Sequence, residues 1–141
     1  MKFLDSIKSG IAKAEAADQN LNAVTAIFSE LNAELSDYTD GKLKITRTMS
    51  LNSKVAAISA MGLESPASEN TKSDIISLSS KTENKIYAEV ARWRQHVSGF
   101  PCMLSFEGRE YICENIEDLK AALGELLSSV IFGKALSKAL L

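Results

Sequence analysis

Over the first third of the chain, apolar residues fall on two rows with helical spacing. Ile7, Ala14, Leu21, Phe28 and Leu35 recur every seven positions, and Leu4, Ile11, Val24 and Leu31 form the row beside them. The pattern predicts helix across residues 3–37. Asp18-Gln19-Asn20 interrupts the second row, and either Asp18 or Asn20 can cap a new helix, so two helices are expected, about 3–16 and 20–36. A single helix of that length would run about 50 Å, longer than a compact domain of this size needs. The same spacing also suits a coiled-coil dimer, against which stand the polar residues at positions 18 and 25.

The period then changes. Tyr38-Thr39-Asp40-Gly41 breaks the helix, and Lys42 to Met49 alternates, with Leu43, Ile45 and Met49 on one face and Lys44, Thr46 and Thr48 on the other. Arg47 falls on the apolar side and suggests an edge strand. Val55 to Met61 reads as a further strand, though its alanines also permit helix. Leu63 to Ser73 contains Pro66 and many polar residues, which predicts a mobile loop, before Ile76 and Leu78 restore strand character over 74–79. From Lys81 to Val97, Ile86, Val90, Trp93 and Val97 stand four, three and four apart, which predicts a central helix capped by Ser80 or Thr82 and ended by Ser98-Gly99.

Two β-prone runs, Pro101–Phe106 and Arg109–Cys113, flank Glu107-Gly108 and predict a two-residue hairpin. Its register sets Phe106 against Arg109, Leu104 against Tyr111 and Cys102 against Cys113, with Cys102, Leu104, Phe106, Tyr111 and Cys113 on the core face. Asn115 is a strong helix cap before the apolar row Ile116, Leu119, Leu123, Leu126 and Val130. Ser128-Ser129 then breaks the helix ahead of a last one through Phe132, Leu136 and Leu140. The fold class expected is α+β: an antiparallel sheet of four to five strands, with an N-terminal helical pair, a central helix and C-terminal helices packed on it, in a single domain over residues 1–141.

Composition narrows the function classes. The 141 residues are 45% hydrophobic and 24% charged with a net charge of −2, which argues against disorder and against a global field drawing the chain to nucleic acid or anionic lipid. No apolar run is long enough for a membrane span, and the early charge at Asp5, followed by Lys8 and Lys13, leaves no continuous leader-like apolar stretch, so a cytoplasmic protein is expected. Two cysteines are too few for a disulfide scaffold. They land on a hydrogen-bonded pair of the hairpin, where side chains splay, so two buried thiols acting as small hydrophobes are favoured over a bridge.

Candidate chemistry is sparse. Arg92, Arg94 and His96 form the one cluster with recognition character, suited to an anion or phosphate, although two arginines and a histidine also solvate the outer face of a helix. His96 has no companions at metal-ligand spacing, no nucleophile-elbow, phosphate-loop or zincin motif occurs, and no cofactor or metal is expected. The terminal helices carry surplus apolar residues, among them Phe3, Ile131, Phe132 and Leu140, which points to packing against another chain, either a second copy or a different protein. The favoured reading is therefore a non-enzymatic interaction protein of inhibitor, immunity or adaptor type. Behind it stand a nucleic-acid-associated protein using the basic segment 81–97, and an enzyme with an unrecognised site around His96.

Overall fold

A computed structural model describes residues 2–49, 71–83 and 85–141. One helix, α1 (Phe3–Tyr38), precedes five strands: β1 (Leu43–Met49), β2 (Thr71–Ser80), β3 (Ile86–His96), β4 (Cys102–Phe106) and β5 (Arg109–Cys113). Two helices follow, α2 (Ile116–Leu127) and α3 (Val130–Ala139). The strands lie in the sheet in chain order, each antiparallel to the next. The α+β class and the antiparallel sheet are as expected. Two elements differ.

The first is the N-terminal helix, which is single and continuous over 36 residues. Asp18-Gln19-Asn20 does not cap a second helix, because the Asn20 amide is committed elsewhere: its Nδ2 donates to the Ser98 carbonyl at 3.1 Å. The second is the expected central helix, whose place is taken by β3. Between Ile76↔Ala91 and Ser77↔Glu89 the register slips and Val90 is left as an extra residue, and a second slip leaves Tyr87. Each extra residue moves the inward alternation by one position. Val90 and Ala91 are thus buried in succession, followed by Trp93. A bulged strand has reproduced helix-like spacing. The expected strand at 55–61 lies outside the described residues, as does most of the expected loop at 63–73, whose last three positions open β2.

The three described helices pack on one face of the sheet. Val24, Ile27, Phe28, Leu31 and Leu35 of α1 and Leu119, Ala122, Leu123 and Leu126 of α2 meet Leu43, Ile45, Ile76, Leu78, Trp93 and Leu104 in one core. Trp93 is fully buried and takes the Phe28 ring edge-on, with centroids 5.4 Å apart and planes at 83°. Arg47 does sit on an edge strand and on the apolar side, where its guanidinium lies 4.4 Å over the Phe28 ring and 5.9 Å from Trp93. At Ile45 the β1 edge is closed by a side chain. Asn32 of α1 donates from Nδ2 to the Ile45 carbonyl at 3.0 Å and accepts the Ile45 N–H on Oδ1 at 2.7 Å.

The hairpin matches its expected register from Phe106↔Arg109 to Cys102↔Cys113. Glu107 (φ 51) and Gly108 (φ 75) are both left-handed, the requirement of the two-residue primed turn. The Glu107 carboxylate also accepts the Ile131 N–H at 2.9 Å, tying the turn to the first turn of α3. Asn115 caps α2, its side chain accepting from the Asp118 N–H at 2.8 Å.

The loop after β3 is where the sheet meets the midpoint of α1. Gly99 has φ +95, and a Cβ built there would lie 2.4 Å from Asn20 Cβ. Gly99→Ala is expected to lower stability by at least about 1–3 kcal/mol, with the denaturant midpoint falling at unchanged slope. A midpoint equal to that of the parent protein would refute the close approach of loop and helix.

Candidate interaction surface

The core uses only the second half of α1. Its buried residues begin at Val24, whereas every residue from Lys2 to Ala16 is exposed. The helix therefore runs past the sheet, carrying the first half of its apolar stripe into solvent. Phe3 is 85% exposed, Leu4 58%, Ile7 60% and Ile11 58%, with Ala14 continuing the row. Helical spacing sets Leu4, Ile7, Ile11, Ala14 and Leu21 on one side, while Lys8 and Glu15 flank them and Asp18 interrupts them. Each large side chain left in water forgoes roughly 1.5–3 kcal/mol of burial. Asp5 in the first turn favours helix there through the backbone dipole.

The basic cluster changes shape when its segment is a strand. Trp93 points into the core, so Arg92, Arg94 and His96 alternate onto the opposite face together. On a helix, Arg94 would have been turned away from the other two. Arg92 and Arg94 are exposed and His96 is half-buried. His96 Nδ1 lies 2.7 Å from Ser98 Oγ and accepts the Ser98 N–H at 3.1 Å. The Ser98 hydroxyl lies 2.6 Å from the Phe100 carbonyl, to which it donates. One hydroxyl proton cannot serve both acceptors, so the pair braces a turn rather than activating the serine.

The C-terminal candidates separate. Phe132 is buried in the core and is no part of any surface, whereas Ile131 and Leu140 remain partly exposed. Phe132 goes inward because Ser129 caps α3 and sets its phase: the Ser129 side chain accepts from the Phe132 N–H at 3.3 Å.

Sequence reasoning also missed a cleft of about 430 Å³ lined by Val90, Arg92, Phe106, Arg109, Glu110 and Ile131. It opens where β3 and β4, paired from Arg92↔Ser105 to Gln95↔Cys102, part company below Arg92. It lies beside the Val90 bulge, which the segment's own sequence does not announce. Among the described residues no group of His, Cys, Asp and Glu could hold a metal ion, and no helix is long and apolar enough to cross a membrane. Comparison of the chain with known protein families, curated proteins and solved structures found no match.

Cys102 and Cys113 are free and buried, and Cys102 Sγ donates to the Gly99 carbonyl at 3.1 Å. Burial pushes the Cys102 thiol up to about 12, with the neighbouring Cys113 adding to the rise and Arg47 opposing it. Burial, assisted by Asp118, pushes Cys113 up to about 11. Above pH 9, where these thiols ordinarily ionise, the folded protein holds protons that the unfolded chain has released. The thiol contribution to stability is thus fully present below pH 9 and is lost as pH rises towards 11–12. Urea midpoints should fall across this range, and less steeply in Cys102→Ala/Cys113→Ala. Identical slopes would remove the thiols from the account. At neutral pH a thiol reagent should find both groups only after denaturation.

Proposed function

We propose that this is a non-enzymatic interaction protein of inhibitor, immunity or adaptor type, and that its binding element is the overhanging half of α1, residues 3–22. The observation that carries the reading is the exposed row Leu4, Ile7 and Ile11 on a helix whose later turns are anchored in the core. An amphipathic helix held rigidly beyond its own domain presents spaced apolar anchors without paying to order them on binding. A cytoplasmic setting fits two buried free thiols. The test is a photo-crosslinking amino acid at Ile11, compared with one at exposed Glu117 on α2, in the cell that makes the protein. Crosslinks to protein, either this chain or another, are expected at position 11 and not at 117. Equal yields at both positions, or none at either, would overturn the reading.

A second reading has one specific observation behind it. β3 sets Arg92, Arg94 and His96 in line on the sheet face opposite the helices, a spacing suited to the phosphates of a single strand. Affinity for an oligonucleotide should then fall steeply with salt, and Arg92→Ala/Arg94→Ala should flatten the log–log slope by about 1.4. A slope untouched by the double variant would dispose of it.

A further inference from the structure

The reading of α1 as a binding element leaves its partner open, and the charges along the stripe narrow it. We infer that residues 4–21 of α1 pair antiparallel with the same segment of a second copy of this chain; this rests on the interaction reading above. The apolar row runs Leu4, Ile7, Ile11, Ala14 and Leu21, with Asp18 occupying one position of the row. In an antiparallel pair, Leu4 meets the partner's Leu21, Ile7 the partner's Asp18 and Ile11 the partner's Ala14. Lys8, beside the row, then comes opposite the partner's Glu15 and next to the partner's Asp18. By symmetry each of these contacts occurs twice.

The competing arrangements are worse on charge or on space. A parallel pair would set Asp18 against the partner's Asp18 inside the apolar seam, with only Phe3, Gly10 and Ala17 in the positions that would answer Lys8 and Glu15. An antiparallel pair one heptad shorter would set Lys8 against the partner's Lys8 and leave Leu21 out. One heptad longer would need Phe28, which already lies in the core. The chosen register uses the apolar side chains the domain leaves exposed and stops where it begins to bury them.

The substitutions that test this lie on exposed positions, so folding is preserved, as far-ultraviolet circular dichroism would verify. In sedimentation at micromolar concentration the full chain should be a dimer and Ile11→Asp a monomer. Lys8→Glu and Glu15→Lys should each weaken dimerisation about ten-fold, and the two together should restore it, since the exchange preserves the cross-pair. Orientation is read with one introduced cysteine per chain, in a Cys102→Ala/Cys113→Ala background. An Ile11→Cys protein mixed with an Ala14→Cys protein should form the mixed disulfide on oxidation, and Ile11→Cys alone should not couple to itself. A monomeric parent chain, self-coupling of Ile11→Cys, or a charge exchange that fails to restore dimerisation would overturn the antiparallel pair. If the chain is monomeric yet crosslinks at position 11 to a different protein, the interaction reading stands and self-pairing falls. If it neither dimerises nor crosslinks, both fall.

Discussion

The packing of Phe28 on Trp93 decides how the remainder of the molecule is disposed. It fixes the second half of α1 across the middle of the sheet, with Val24, Ile27, Leu31 and Leu35 around it. A 36-residue helix runs about 54 Å, whereas the longest strand, of 11 residues, spans about 36 Å, so a helix centred this way must outrun its support. The direction of the overhang is set too. The C-terminal end is tied to β1 by the Asp40-Gly41 turn and by Thr39, whose Oγ1 accepts the Leu43 N–H at 3.2 Å. Excess length can project only at the N-terminal end.

The same core explains why a cation is tolerated beneath a helix. Arg47 shares the layer with two aromatic rings, one 4.4 Å away, and Gln95 Oε1 accepts from its Nη1 at 3.4 Å. The residue as a whole is half-buried. The two buried thiols act as small hydrophobes, with one weak hydrogen bond from Cys102 to the Gly99 carbonyl. The Phe28–Trp93 contact thus sits within a core of Leu, Ile and Val side chains from α1, α2 and the sheet, with the small thiols filling in beside it. The α1–α2 ion pair of Glu30 and Lys120, 3.9 Å apart and more than half exposed on both sides, adds little.

Local chemistry was legible where one rule governed. The hairpin register, the Asn115 cap and the break at Ser128-Ser129 followed from turn and capping residues that act within a few positions, and the edge position of β1 from Arg47 on its apolar side. The misreadings arose where a distant contact overrode a local signal. Asp18-Gln19-Asn20 is a sound cap sequence, but Asn20 is spent on Ser98, 78 positions away. Val90 breaks the alternation of β3 because the neighbouring strand has one residue fewer at that point, and a partner's length is invisible in the segment itself. For the candidate site the apolar rows of α1 were plain in the sequence. That they belong half to the core and half to solvent depends on where the sheet ends. The strand reading also gathered Arg92, Arg94 and His96 onto one face, which helical spacing would have divided.

Asn32 carries a consequence beyond the protein's own stability. Its amide imitates a peptide group, giving Ile45 the donor and acceptor that a sixth strand would supply. The sheet therefore cannot be extended there by another chain's backbone until that side chain lets go. Main-chain pairing accepts almost any sequence, and a protein open to it is exposed to indiscriminate partners. At Ile45 that route is stopped, and recognition at this point of the β1 edge is left to side chains, where a single substitution can change the choice of partner without disturbing the sheet. On the β1 edge, selectivity and protection from strand addition are thus two results of one amide placed on the right turn of a helix.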